Sequence, residues 1–199
     1  MRTVWMAGLL WTLGCGGGAQ PAESPASSST DLAALRAQLG TAAAQLPEIA
    51  AGDDTIDVPP SVFGTTTDVV GRFLFVAVRD SSGGIHGLYR VSEAADGSTF
   101  HYSGRLTCIG IYDFNGRTGN RAKVGGPIDA TDDPSIAVGS FIWWQAIDNR
   151  GLDRPDQSTF PGFGDAAANE AFCQASTPPR FGPFDVVQGH IFVGPGDDD

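Results

Sequence analysis

The stretch Asp148-Asn149-Arg150-Gly151-Leu152-Asp153-Arg154-Pro155-Asp156 gathers three carboxylates and an amide into one short run. A hard cation such as calcium takes roughly six to eight oxygens, and Asp148, Asp153 and Asp156 together with loop carbonyls supply part of such a set. The spacing does not follow the helix–loop–helix calcium pattern, and Arg150 and Arg154 can neutralise the acids instead. A turn held by Asx hydrogen bonds accounts for the same residues. Hydrolytic chemistry needs a nucleophile, a base and an orienting acid. The histidines are His86, His101 and His190, and none stands in a recognisable catalytic motif. His86 and His101 fall on polar strand faces, whereas His190 alternates in phase with Phe184, Val186 and Phe192. Asp165 and Glu170, in the loop from Asp148 to Pro183, are candidates for paired acid–base work.

Phe141-Ile142-Trp143-Trp144 is apolar on both faces. A strand buried on both sides explains it; the functional alternative is an aromatic platform, Trp143 and Trp144, for a glycan or peptide. No signal singles out an enzyme.

What must position these residues is a small acidic domain. The chain has 199 residues, 41% of them hydrophobic, and a formal charge of -11 with Lys123 as its single lysine. That balance repels phosphate backbones and anionic lipid surfaces, which argues against nucleic-acid binding. Met1-Arg2, the apolar run from Val4 to Leu13 and the small residues Gly14-Cys15-Gly16-Gly17-Gly18-Ala19 make the three-part secretory pattern. The run is too short to span a bilayer, which takes about 20 residues. Gly14-Cys15 resembles the end of a bacterial lipoprotein signal, with Thr12 where that signal has leucine. The resemblance implies acylation of Cys15 and a lipid-anchored, extracytoplasmic protein; cleavage after Ala19 would instead release it. With Cys15 assigned to lipid or removed, Cys108 and Cys173 remain, and export favours a disulfide between them over two buried thiols.

Residues 16–30, rich in Gly, Ala, Pro and Ser, read as a tether. Leu32, Leu35, Leu39, Ala42 and Leu46 then recur at helical spacing until Pro47, predicting a short amphipathic helix that packs on the main domain. Beyond Pro59-Pro60 the period changes to two. Strands are expected over Val70–Val78, Ile85–Ser92, Ser98–Tyr112, Arg121–Ile128, Ile136–Ile147 and Phe184–Val193. Asp96-Gly97 and Asn115-Gly116 mark tight turns. The segmentation is therefore 1–15 signal, 16–30 tether, 31–60 short helix and linker, 61–194 β-rich domain and 195–199 disordered tail. The fold expected is all-β: an antiparallel β-sandwich or small β-barrel of about seven to eight strands, preceded by a short helix.

Three segments carry a further likeness: Gly104-Arg105-Leu106-Thr107-Cys108, Gly119-Asn120-Arg121-Ala122-Lys123-Val124-Gly125-Gly126, and Trp143-Trp144-Gln145-Ala146-Ile147-Asp148-Asn149-Arg150-Gly151. They resemble an uncharacterised group of exported bacterial β-rich domains, loosely over residues 70 to 193. The resemblance implies a secreted all-β module of the kind often attached to cell-surface proteins, and lends no catalytic residue. Taken together, the sequence predicts a membrane-anchored envelope lipoprotein with a non-enzymatic β domain facing an envelope or extracellular partner. A small-ligand or glycan-binding barrel and a hydrolase are the alternatives.

Overall fold

A computed structural model describes residues 48–59, 62, 68–177 and 182–194. The signal segment with Cys15, the tether, the amphipathic stretch before Pro47 and the tail after Gly194 lie outside the described residues. Among the described residues eleven strands form: β1 (Glu48–Val58), β2 (Val69–Arg79), β3 (Ile85–Ala95), β4 (Ser98–Arg105), β5 (Cys108–Phe114), β6 (Arg117–Pro127), β7 (Ala130–Thr131), β8 (Phe141–Ile147), β9 (Gln157–Ser158), β10 (Gly162–Gly164) and β11 (Phe184–Gly194). A helix, α1 (Ala166–Gln174), precedes β11. The fold is all-β, as expected, with more strands than the seven to eight anticipated. Among the described residues no helix is long and apolar enough to cross a membrane.

The strands make one antiparallel sheet in the order β5-β6-β8-β9-β11-β1-β2-β3-β4-β7, with β10 added beside β8. The sheet curls into a half-barrel, so that inward side chains of distant strands meet. Trp144 from β8 packs against Phe73 and Phe75 of β2 and Tyr89 of β3, at centroid distances of 5.6, 5.4 and 5.8 Å. Around them Ile56, Val91, Leu106, Val124, Ile142 and Ile191 complete the inner core. Two-residue turns join β3 to β4 and β5 to β6. Asp96 and Asn115 sit at φ 49° and 51°, each followed by a glycine at positive φ. That is the chemistry of tight hairpins matched to strand twist.

The run expected as a single strand from Ser98 to Tyr112 changes partner midway. Leu106 donates its N–H to Gly87 on β3, and Thr107 donates to Gly125 on β6. At this corner the backbones touch: a Cβ on Gly126 would stand 1.9 Å from the Arg105 carbonyl oxygen. Only glycine permits that approach.

Two further expectations are corrected. Residues 48–58, read as linker, are β1, in the middle of the sheet between β11 and β2. The residues from Asp148 to Pro183, read as a loop, contain β9, β10 and α1. Asp165 caps α1, its carboxylate accepting from the Ala168 N–H at 2.8 Å. The helix packs on the outer side of β5, β6 and β8, and Cys173 on its buried face is joined to Cys108 of β5.

Candidate functional site

The acidic run after β8 has a structural employment. Asp148 accepts the Arg150 N–H on one carboxylate oxygen at 2.8 Å and the Val193 N–H on the other at 3.1 Å. Asp156 accepts the Asn149 N–H at 2.7 Å and the Ile191 N–H at 2.8 Å, while its carbonyl accepts from Val186. Between β8 and β11, β9 reaches only Phe184 and Asp185 of β11. Further along β11, the two carboxylates stand in for the missing neighbour strand and satisfy its backbone donors. Asp153 is exposed and joins neither bond. Among the described residues no group of three His, Cys, Asp or Glu side chains is placed to hold a metal ion.

This arrangement fixes the effect of removing each acid. Asp156→Ala leaves two N–H groups without acceptors and is expected to lower the unfolding free energy by about 2 kcal/mol. Asp153→Ala is expected to stay within about 0.5 kcal/mol of wild type. Urea unfolding of the two variants compares them, and millimolar calcium should leave all the midpoints in place.

The two tryptophans point to opposite sides of β8. Trp144 is fully buried in the core with its indole N–H unpartnered. Trp143 faces outward and is half-covered: its ring lies 5.9 Å from that of Phe172 on α1 and against Gly162 and Gly164 of β10. They share no common surface.

The histidines are dispersed. His86 contacts Asp80 at 2.8 Å and His101 contacts Asp132 at 2.7 Å, all near the surface. At the first pair Ser82 also donates to Asp80, so hydroxyl and imidazole both address the carboxylate and not each other. A nucleophile–base pair requires the opposite connectivity. Those hydrogen bonds, Ser82 first and His86 second, hold the Asp80 carboxyl well below its ordinary range. His190 is also exposed, contrary to the face assigned from alternation. β11 has a bulge in which Val187 is the extra residue against Thr55 and Ile56. The bulge resets the phase, so Ile191 and Val193 point inward and His190 and Phe192 outward. Asp165 serves as the helix cap, and Glu170 accepts from Gln174 one turn along α1; the two acids do not form an acid–base pair.

Three buried charged residues, Asp54, Arg121 and Lys123, and the half-buried Glu93 stand out that alternation did not mark. Asp54 projects inward from β1, 1% exposed, and neither carboxylate oxygen has a hydrogen-bond partner. Burial raises its pKa well above the ordinary value; Ser158 works against this, and the carboxylates of Asp53 and Asp156 add to it. Glu93, on the inward face of β3, is pushed up to about 8 by burial and by Asp133. Its Oε1 is also unpartnered. On the outer face of β6, Arg121 and Lys123 are 3% and 1% exposed beneath the end of α1. Lys123 donates to the Ala175 carbonyl at 2.5 Å and to Thr177, and Arg121 to the carbonyls of Ser176 and Thr177. Aromatic faces fill the remaining space: Phe172 lies 4.8 Å from the Lys123 ammonium, and Tyr112 and Phe114 lie 5.4 Å from the guanidinium. Burial, and secondarily Arg121, lowers the Lys123 pKa to about 8.

These cations meet the carbonyls of the cap residue Ala175 and of the two residues after it, where the negative end of α1 also favours positive charge. Arg121 and Lys123 alternate with Ala122 and Val124, the local pattern of a solvent-facing side, yet α1 covers that side. A single lysine in an acidic chain was the one available hint. Compared with known proteins, the chain matches no family model, no curated protein and no solved structure.

Proposed function

We propose that this chain is an envelope lipoprotein, anchored through Cys15 to a bacterial membrane and displaying the half-barrel as a non-enzymatic interaction domain. The observation that carries the reading is the disposition of the cysteines. Cys108 and Cys173 are bonded to each other. Cys15 is then the remaining thiol, and it stands directly after an apolar run and a small residue. A disulfide on the domain and a lipid on the leader belong to the same oxidising side of a membrane. The surface supports a partner-facing role of polar character, since the net charge is -11 and the exposed large apolar residues, such as Leu88, Val138 and Leu152, are scattered.

Mass spectrometry of the protein recovered from membrane and soluble fractions tests the proposal. The expected product begins at Cys15, carries diacylglycerol and an acyl chain, and resides in the membrane fraction. Cys15→Ser should shift the protein to the soluble fraction or leave the leader uncleaved. A product beginning at Gln20 would remove the lipid and keep export, and one retaining Met1 and Arg2 would overturn both.

A further inference from the structure

Arg121 and Lys123 lie side by side on the outer face of β6, and both are buried. Among the described residues neither forms an ion pair with a carboxylate. Burial lowers the Arg121 pKa, and Tyr112 and Asp113 offset this only in part. Asp113 is itself exposed and accepts the Gly119 N–H at 2.9 Å. Two cations shielded from water need oxygen acceptors around them. The chain carries 23 acidic residues against 12 basic ones, so this pair lacks a counter-ion in a molecule with acids to spare.

The backbone after α1 occupies the counter-ion's place. The carbonyls of Ala175, Ser176 and Thr177, with the Thr177 hydroxyl, accept from the two side chains. They leave the guanidinium incompletely used. Its side-on edge carries two parallel N–H groups, on Nε and Nη2. Nη2 donates to the Ser176 carbonyl at 2.9 Å, whereas Nε is buried without a partner. A carbonyl brings one oxygen to that edge. A carboxylate brings two at the matching spacing, and its charge makes each bond stronger. The rings of Tyr112, Phe114 and Phe172 keep water from the cations and so strengthen any such pairing.

We propose that Arg121 and Lys123 form a binding site for a monocarboxylate, closed in this structure by residues 175–177, whose carbonyls stand where the carboxylate oxygens would bind. Arg121 takes both oxygens through Nε and Nη2, and Lys123 supplies the second positive charge. The ligand enters when residues 175–177 lift. They follow directly from α1, and the end of α1 is tied to β5 twice. Cys173 is bonded to Cys108, and the Tyr112 hydroxyl donates to the Cys173 carbonyl. The disulfide is therefore a latch on the closed form, and the apparent affinity is reduced by the fraction of molecules that are open. The site is independent of whether Cys15 carries lipid.

Acetate is the probe, titrated into the full chain in exchange for chloride at constant ionic strength. The nuclear magnetic resonance signals of the Arg121 Nε–H and of the Ser176 and Thr177 amides should shift saturably, with half-saturation in the millimolar range. Acetamide, the neutral isostere, should leave them in place. Arg121→Gln should raise the half-saturating concentration at least about tenfold. C108A/C173A, which lacks the latch, should lower it at least about fivefold. Shifts in the wild type that do not saturate, or that acetamide reproduces, overturn the proposal, and this arm needs no variant to fold. Tighter binding of inorganic phosphate than of acetate overturns the choice of a carboxylate. An affinity unchanged in a folded C108A/C173A overturns the closed state.

Discussion

Removing the Cys108–Cys173 bridge should lower the unfolding free energy by about 4 kcal/mol, whether by reduction or in the C108A/C173A double variant. The two residues are 65 apart in sequence, so the bond removes a long open loop from the unfolded ensemble. Its placement concentrates the effect. Cys108 begins β5, an edge of the sheet, and Cys173 lies on α1, which packs on β5, β6 and β8. Without the bond, α1 is retained by its side-chain contacts and by the Lys123 and Arg121 bonds to the carbonyls of Ala175 and Ser176 just past its end. Urea denaturation of oxidised and reduced protein measures the difference. A loss below about 1 kcal/mol would mean that the loop is already constrained when the chain is unfolded.

Stability should also fall as pH rises from about 4.5 to about 8, and Glu93→Gln should abolish most of that fall. The sign follows from proton counting. The Glu93 carboxyl ionises near 4.5 in an unfolded chain and near 8 in the folded one, so between those values the native state holds the extra proton. Stabilisation from that proton is complete below 4.5 and is lost as pH climbs through 8. The expected loss is about 3 kcal/mol, allowing for water reaching a carboxyl that is not wholly covered. Asp54 acts in the same direction. Lys123 acts oppositely above this range: its folded pKa is lowered to about 8, so the unfolded state holds more protons and stability recovers as pH rises toward 10.5. Chemical denaturation across pH should therefore show a minimum near 8, replaced in E93Q by a shallower profile. An unchanged profile in E93Q would place the responsible proton elsewhere.

Several strands were readable from local sequence, because β3 and β4 put large apolar residues on one side, β2 is a continuous apolar run, and Xaa-Gly turns stand between strands. β1 was not. Its inward positions include Ala50, Gly52 and Asp54, which carry no apolar period, and the Asp53-Asp54 pair reads as a turn. Gly52 is small because the Phe75 ring occupies the space a side chain would need, a fact that belongs to β2 and not to β1. α1 was hidden for a similar reason: the residues it buries are Asn169 and Cys173, not a leucine stripe. The acids of the loop after β8 were legible as turn formers, but their role toward β11 depends on residues some 35 to 45 positions away. The buried charges at Asp54, Arg121 and Lys123 and the half-buried Glu93 lay beyond local pattern altogether, since they are covered by elements remote in sequence.

The pairing of β1 with β11 has a kinetic corollary. Ile49 is matched with Gly194, so the strand synthesised first among those described waits for the one synthesised last before its hydrogen bonds are complete. Pairings this distant make for slow closure, on the order of milliseconds to seconds. A nascent chain of this design can form its local hairpins early, while the seam between β1 and β11 stays open until β11 has been made.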